Sequence, residues 1–453
     1  MEHTHGTNGQ PLLASFPNEL LEMILLAVAE EEGIGIPGIA RLARVCPSFR
    51  SVLEYKLYRS ITHSPSLPLT PKKLLLLGRT LAENRQLASL VTSVDFRGLD
   101  SSNDDRRRWK DDRCKYIFNY VSDTAKALMR MQPDGQNRHC KRVRTGIMTR
   151  LNQRDGGSAM SLVVALAPNL HTAYLSSEFD FLAALHLFKE ATAYPKLKSL
   201  SWYAGSRPTR QGVYLMNFIS SAPNLEYLDL NGLSLPATRN YTPPNLTRLT
   251  ELRLENCRLQ LGAIRDLVST CTALESFILT RSHDSIPQTL DFLAPISRTV
   301  RRLSVRCPMH THYFCVNSSG DGLVAPLGTT TATSAAEVIR RFPNLRHLTF
   351  SQCYVHRHNP AVCEDEDSDC RQWLANLADA ASQLEHLEGL EVTHVHGITL
   401  QHLQSMAETL AKRRLISPLR EVALTPIPER SRDIEVLQQF FQGQATQVLS
   451  NLP

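Results

Sequence analysis

A repeated spacing of apolar residues constrains the fold of this chain more than any other feature. Apolar residues recur at positions i, i+3 and i+5 in ten segments, which begin at Val91, Leu170, Leu197, Leu225, Leu249, Leu274, Val300, Leu345, Leu387 and Leu419. From Leu170 to Val300 successive segments start 27, 28, 24, 25 and 26 residues apart. The later intervals of 45, 42 and 32 residues indicate insertions. A period of this length predicts one supersecondary unit per repeat.

Each repeat joins a helical pattern to a short strand. Stretches such as GVYLMNFISSAPNL and LGAIRDLVSTCTAL carry apolar residues three and four apart just before the strand motif. Proline marks the exit from the helix at Pro168, Pro195, Pro223 and Pro343. One helix and one strand cannot bury the three apolar positions, so stacked repeats must cover one another. At about 1.5 to 3 kcal/mol for each buried large side chain, disruption of one layer is expected to cost several kcal/mol.

The motif L-x-x-L-x-L-x-x-N/C is completed by LTELRLENC and LRHLTFSQC. On this motif and period, residues 88–425 resemble the leucine-rich repeat family in its longer variants. The resemblance implies an α/β solenoid with parallel strands on its concave face and helices on its convex face. It also implies that Cys257 and Cys353 point inward and satisfy backbone groups of the loops. Leu233 takes that place in LEYLDLNGL, and Cys307 falls one residue early.

A second feature lies in front of the repeats, in the stretch FPNELLEMILLAVAEE. Its apolar residues Leu20, Leu21, Ile24, Leu25 and Val28 fall on one broad side of a helix that Pro17 precedes. Further helices are expected to open at Pro37 and Pro47. Three short helices in so few residues form a core too small to be comfortably stable alone, which favours a partner.

The order F-P-x-E-L-L-x-x-I-L, L-A-R-V-C-x-x-F-R and L-Y-R-x-I resembles the F-box as it occurs in fungal proteins, over residues 15–61. This resemblance implies docking to a Skp-type adaptor and, through it, to a cullin-RING ubiquitin ligase. Phe16 stands where the family usually has leucine, and the connection EEEGIGIPG is long for the family. The docking positions that the resemblance implies are Phe16, Pro17, Leu20, Leu21, Ile24, Leu42, Val45, Cys46 and Phe49.

These patterns predict a chain of several parts. The helical module is followed by a connecting helix or linker, then by the repeats, and the segment SRDIEVLQQFFQGQ is expected to form a helix that caps the last repeat. The predicted boundaries are about 1–14 for a disordered start, 15–61 for the module, 62–87 for the connection, 88–425 for the repeats with insertions near 97–157, 306–335 and 354–370, and 426–453 for the cap.

The polar residues between the apolar positions of each strand are expected to face the concave side. Six of them form a mixed surface rich in tyrosine and arginine, the residues that most often carry interface energy. A polar concave face is also what solubility alone requires, so only the clustering points to a target protein. The six residues are Tyr203, Tyr227, Asp229, Arg253, Glu255 and Arg302.

The net charge of +6 is concentrated in one part of the chain. Residues 97–155 contain fifteen Lys and Arg and eight Asp and Glu, a balance of +7. Interleaved aspartates in SSNDDRRRWKDDRCKY favour a solvated loop over a nucleic-acid site, so nucleic acid is not an expected partner. An acidic protein is the alternative partner for the cations Lys126, Arg130, Lys141, Arg142 and Arg144.

Metal chemistry has one weak candidate, CPMHTHYFC, in which Cys307, His310, His312 and Cys315 offer zinc ligands. Their spacing matches no zinc pattern, so ordinary loop residues are the preferred interpretation and no cofactor is predicted. No phosphate-binding loop, nucleophile elbow or HExxH motif occurs, which favours a protein that is not an enzyme. No secretory leader or membrane-spanning apolar run occurs, so the expected location is the cytoplasm, the nucleus or both.

The two resemblances together imply a substrate-recognition subunit of an SCF-type ubiquitin ligase. The alternative is a leucine-rich-repeat scaffold for protein interactions whose N-terminal helices only cap the solenoid.

Overall fold

The structure, a computed structural model, divides the chain into two compact units, Met1–Leu197 and Lys198–Pro453. We refer to them as the first and the second unit. The residues that the structure describes are 17–31, 35–63, 69–97, 145–146, 149, 156–176, 179–181, 184, 194–204, 212–233, 243–257, 259, 261–280, 293–306, 339–351, 379–381, 383–395, 421–426 and 447–449.

The first unit opens with three helices, α1 (Asn18–Glu31), α2 (Gly35–Leu42) and α3 (Pro47–Arg59). Pro17 directly precedes α1, and its carbonyl accepts the first helical bond from the Leu21 N–H at 3.0 Å. Helix α2 begins two residues before the predicted Pro37, whereas α3 begins at Pro47 as predicted, with proline in its first turn. The three helices share a core of Leu21, Leu25, Ala43, Phe49 and Leu53.

Helix α3 runs directly into strand β1 (Ser60–Thr62), which pairs in parallel with β2 (Ser93–Asp95). Strand β3 (Thr172–Ser176) pairs in parallel with β2 in turn. Helices α4 (Pro71–Glu83), α5 (Arg85–Leu90) and α6 (Gly156–Leu166) lie between these strands in the chain. The first turns of α4 and α5 are capped, since the Thr70 and Asn84 side chains accept backbone N–H bonds there.

In the part of the second unit that the structure describes there are nine strands, each paired in parallel with its neighbours in chain order. Helices α7 (Gly212–Ser220) and α8 (Leu261–Ser269) and a 3-10 turn at Ala294–Ile296 lie between successive strands in the chain. The strands are β4 (Ser199–Tyr203), β5 (Tyr227–Asn231), β6 (Glu251–Glu255), β7 (Ser276–Thr280), β8 (Arg302–Arg306), β9 (His347–Ser351), β10 (Gly389–Val395), β11 (Glu421–Pro426) and β12 (Gln447–Leu449).

The register of the second unit follows the repeat. The i+3 and i+5 residues of adjacent repeats lie opposite one another, as Leu228 does with Leu252 and Leu230 with Leu254. All four are fully buried. Their polar neighbours point to the other side of the sheet, because side chains alternate along a strand. The predicted α/β class with an all-parallel sheet is confirmed, and this arrangement is compatible with a solenoid.

The turn after the strand is also part of the repeat. Gly232 after β5 and Asn256 after β6 both have positive φ, 76° and 51°. Their N–H groups donate to the next strand, to Glu255 O at 2.7 Å and to Thr280 O at 2.8 Å. The capping helix predicted within 426–453 lies outside the described residues. In that segment β12 continues the parallel sheet beside β11.

Candidate functional site

Helix α1 presents two apolar faces with different surroundings. Leu21 and Leu25 are 1% and 4% exposed and pack into the core of the three helices. The other face carries Leu20, Met23, Ile24 and Val28, which are 48%, 67%, 39% and 38% exposed. These four positions lie on one side of the helix, since residues three and four apart are neighbours on a helical surface. We call these four residues the α1 ridge.

The predicted docking positions separate into three groups. Leu20 and Ile24 lie on the ridge, and Pro17 and Val45 are also exposed, Val45 to 67%. Leu42 and Cys46 are half-buried against the helical core. Leu21 and Phe49 are core residues, so they support the surface instead of forming it. Phe16 lies outside the described residues.

The sequence interpretation missed Met23 as a docking position, although it is among the most exposed apolar side chains of the described residues. Its position three residues after Leu20 is the signal that places it on the ridge. A polar pair joins α1 to α3 away from most of the ridge. Glu22, the residue before Met23, lies 4.0 Å from Lys56 of α3, and both are about one third exposed.

Five of the six residues predicted for the concave surface come together on β4, β5 and β6. The register places Asp229 opposite Arg253, while Tyr203 and Glu255 both lie opposite Asn231. Tyr227 lies on β5 beside these residues. We call the side of the second unit's sheet that carries these side chains the polar face. Arg302 is exposed on β8, two strands beyond β6, and belongs to a different part of the same face.

Arg253 organises the centre of this cluster. Its Nε donates to Glu251 Oε1 at 2.6 Å, and its guanidinium lies 5.5 Å from the centroid of the Tyr227 ring. The Asn231 amide donates to Glu255 Oε2 at 3.1 Å. Tyr203 remains 53% exposed beside them. The cluster therefore offers an aromatic surface next to carboxylates that are held in place.

Asp229 is the electrostatically strained member of the cluster. Its Oδ1 is buried and has no hydrogen-bond partner within the described part of the chain. Burial raises the pKa of this carboxyl, and the nearby Glu255 carboxylate raises it further, while Arg253 and a hydrogen bond from Tyr227 act in the opposite direction.

The opposite part of the polar face carries positive charge. Arg302 and Arg306 lie exposed at the two ends of β8. Arg306 reaches Glu391 on β10 at 2.9 Å, and the same Glu391 oxygen accepts from the Thr349 hydroxyl at 3.1 Å. The face thus changes from acidic and aromatic on β5 and β6 to basic on β8.

Two cysteines of the second unit, Cys257 and Cys271, are buried. The burial of Cys257 confirms the predicted inward-facing position, and its thiol donates towards Leu230 O at 3.1 Å and Glu255 O at 3.3 Å. These acceptors belong to strands β5 and β6, and not to loops as predicted. Burial raises the pKa of the Cys271 thiol to about 12, as expected for an unreactive side chain. Cys353 lies outside the described residues.

Two further predictions concern residues that are not described. The zinc candidates Cys307, His310, His312 and Cys315 lie outside the described residues, as do the cations from Lys126 to Arg144. Within the described ranges, no group of three His, Cys, Asp or Glu side chains is arranged to hold a metal ion. A search of those same ranges finds no helix long and apolar enough to cross a membrane.

No protein-family model matches this chain, and no curated protein matches it.

Proposed function

We propose that this chain is the substrate-recognition subunit of an SCF-type cullin-RING ubiquitin ligase. In this proposal residues 15–61 are an F-box that docks a Skp-type adaptor, and the adaptor joins the chain to the cullin-RING ligase in the cytoplasm, the nucleus or both. The polar face of the second unit holds a target protein. The chain is a non-catalytic receptor, and other subunits carry out ubiquitin transfer.

The α1 ridge is the observation that carries this proposal. Its four apolar side chains are exposed, while Leu21 and Leu25 on the adjacent edge of α1 already fill the module's own core. Exposed apolar side chains that form one patch are typical of a protein-binding surface. Val45, which follows α2, adds a fifth exposed apolar side chain to the same small module.

A scaffold whose helices only cap the repeats is the second candidate. The attachment of α3 favours it, because α3 contacts α5 and runs into β1, which pairs with β2. Any repeat array needs such a cap. A cap formed through α3 leaves the exposed ridge on α1 without a role. Adaptor docking explains the exposed ridge and is compatible with the contacts that α3 makes.

Catalysis in this proposal comes from proximity. A receptor that holds its target near the charged ubiquitin carrier raises the local concentration of the target's lysines, typically to about the millimolar range for linked sites. The acidic and basic parts of the polar face would orient the target, since complementary charge fixes register and rate of association. The chain then needs no reactive group of its own.

Adaptor capture by the full chain tests the first half of the proposal. Leu20→Asp and Met23→Asp each place a charge within the buried contact, so capture is expected to fall at least about a hundredfold. The matched control is Leu76→Asp on α4, which changes a 36% exposed leucine of the same unit and should leave capture intact. Circular dichroism verifies that all three variants fold. Absence of capture by the native chain, or equal capture by the ridge variants, would favour the scaffold.

Affinity capture with mass spectrometry tests the second half. Charge reversal at Asp229, Glu255 and Arg302 together should release a target while the adaptor is retained. The ridge variants should do the opposite. A protein that the triple charge-reversal variant still captures at the native level does not bind the polar face.

A further inference from the structure

An arginine in each unit is held against the sheet by the same two kinds of group. In the first unit Arg97 donates to the Asp95 carboxylate on β2 at 2.7 Å, and its guanidinium lies 4.4 Å from the centroid of the Tyr174 ring on β3. In the second unit Arg253 donates to a carboxylate on β6 at 2.6 Å and lies 5.5 Å from the Tyr227 ring on β5. A carboxylate and a tyrosine ring on neighbouring strands therefore form a place for a guanidinium in this fold.

The polar face offers the same two kinds of group again, beside Asn231 on β5. Tyr203 of β4 and Glu255 of β6 both lie opposite Asn231. Asp229 lies two residues earlier on the same face, so its Cα atom is about 8 Å from those of Tyr203 and Glu255. We call Tyr203, Asp229 and Glu255 the Tyr203 site.

The Tyr203 site has no cation from the described part of the chain. Within those ranges neither Asp229 nor Glu255 forms an ion pair, and no arginine or lysine lies over the Tyr203 ring. Glu255 is half-buried and accepts from the neutral Asn231 amide at 3.1 Å, so it keeps its charge and can accept from a partner. The Tyr203 ring is 53% exposed. Asp229 Oδ1 is buried, so Asp229 contributes its charge to the site and Glu255 the direct contact.

The charges of the chain itself leave this part of the polar face negative. Strands β5 and β6 present three carboxylates and one guanidinium there, and that guanidinium, of Arg253, is already paired with Glu251. Burial raises the pKa of Asp229, and the Glu255 carboxylate raises it further because the two negative charges repel each other. A cation on a partner is therefore attracted to this point, although the whole chain carries a net charge of +6.

The groups of the Tyr203 site fit an arginine better than a lysine. A guanidinium is planar, so it can lie flat on a tyrosine ring while its edge donates two hydrogen bonds to a carboxylate. An ammonium is compact and strongly hydrated, and it cannot make both contacts equally well. Both cations that the chain holds in this way are arginines.

A charge of the opposite sign lies further along the same face. Arg302 on β8 is exposed and forms no ion pair within the part of the chain that the structure describes. It lies three strands and two residues from Asp229, which places the two Cα atoms about 16 Å apart. An extended peptide covers this distance in about five residues. A segment that follows the face therefore meets negative charge at one point and positive charge about five residues away.

From this pattern we infer that the Tyr203 site binds one arginine of the target protein, on an extended segment that carries an acidic residue about five residues away. The guanidinium lies on the Tyr203 ring and pairs with Glu255, and the acidic side chain meets Arg302. This inference rests on the proposed role of the polar face as the target-binding surface. It disfavours a polybasic segment as the target, because Arg302 repels a second positive charge at that distance.

Fluorescence anisotropy with the full chain tests this inference. The main probe is a fluorescein-labelled dodecapeptide library with an arginine and a glutamate at that separation, in either order, and degenerate uncharged residues elsewhere. One comparison library has the same composition with the two charged residues adjacent, and two others replace the arginine by lysine or glutamine. At physiological ionic strength the main library should bind at least about fivefold more tightly than each comparison library. Equal binding of any comparison library, or no binding of the main one, overturns the inference.

Variants locate the binding in the Tyr203 site. Glu255→Gln and Tyr203→Leu should each weaken binding of the main library about fivefold to tenfold, whereas Tyr203→Phe keeps the ring and most of the affinity. Glu255→Lys should reverse the preference. A library with glutamate at both fixed positions should bind this variant at least about fivefold more tightly than it binds the native chain, which a merely structural role for Glu255 would not produce. Native affinity for the main library in a folded Glu255→Gln or Tyr203→Leu chain excludes the site.

The matched control is Glu226→Gln, which removes a carboxylate that pairs with Lys198 away from the polar face and should leave binding unchanged. A loss of binding in this control equal to that of Glu255→Gln overturns the assignment. Adaptor capture by the same preparation separates this inference from the proposed function. If the adaptor is captured and the main library does not bind, the inference alone fails. If the main library binds and the adaptor is not captured, the Tyr203 site is the recognition site of a scaffold.

Discussion

Ile24 and Leu25 are adjacent on α1, yet the structure assigns them different tasks. Ile24 is 39% exposed on the ridge, and Leu25 is 4% exposed in the core with Phe49 and Leu53. Truncation of each to alanine should therefore have opposite consequences. Leu25→Ala should destabilise the helical module and spare adaptor affinity. Ile24→Ala should weaken adaptor binding and spare the module.

The magnitudes follow from burial. A buried leucine reduced to alanine costs about 2 to 5 kcal/mol, because the transfer free energy is lost and a cavity remains. Ile24 is already partly exposed, so its truncation should cost about 1 kcal/mol or less in the free chain. Within a docked complex the same truncation removes a central apolar contact, which is worth about 1 to 3 kcal/mol, or about fivefold to 150-fold in Kd.

Hydrogen exchange measures the first quantity and adaptor titration the second, both on the full chain. Amide exchange in the segment Asn18–Glu31 reports the local opening free energy, which suits a chain of two units better than a single melting temperature. Faster exchange is expected for Leu25→Ala alone. Weaker binding is expected for Ile24→Ala alone. Leu25→Ala should bind with native affinity as long as its helical module remains mostly folded.

The reverse pattern would refute this reasoning. If Ile24→Ala accelerates exchange as much as Leu25→Ala does, the ridge is covered by the chain itself and α1 is part of a cap. If both variants bind the adaptor with native affinity, the ridge is exposed but is not the docking surface.

Three more predictions concern the turn after β5, the centre of the polar face and the buried cysteine after β6. Gly232→Ala should cost about 1 to 2 kcal/mol, since φ is 76° there while its N–H must still reach Glu255 O; urea unfolding measures this loss. Burial, and then Glu255, raises the pKa of the Asp229 carboxyl in the folded state. The protonated carboxyl therefore contributes its full stabilisation below the unfolded-state pKa, and this contribution is lost as the pH rises through the raised folded-state pKa. Asp229→Asn should therefore slow hydrogen exchange in β5 at pH 7 and have little effect near pH 3. Cys257→Ala should cost about 1 to 2 kcal/mol by urea unfolding, because Leu230 O loses its thiol donor and a small cavity forms.

The strands of the repeats could be predicted closely from the sequence. Each strand from β2 to β11 begins two residues after the first apolar residue of a predicted segment. The reason is physical, because the i+3 and i+5 side chains must both enter the core and an extended backbone meets this requirement. Strands β1 and β12 do not follow this pattern and were not predicted. Their corresponding i+5 positions hold His63 and Ser450, so the third apolar position is polar.

The division of α1 into two faces could not be predicted in the same way. The sequence shows one broad apolar side from Leu20 to Val28. Which edge of that side becomes core depends on where α2 and α3 bring Ala43 and Phe49, and helix packing is not encoded in the period of α1 alone. Leu21 and Phe49 were accordingly predicted at the docking surface and lie in the core.

The polar face and the buried layer of the second unit use different positions of each repeat. Positions i, i+3 and i+5 are buried wherever the structure describes their side chains, and the polar face uses i+2, i+4 and i+6. Substitutions on the polar face therefore leave the buried layer intact, and their effects on stability should be small. In a repeat array built in this way, the residues of one face can change without a change of fold.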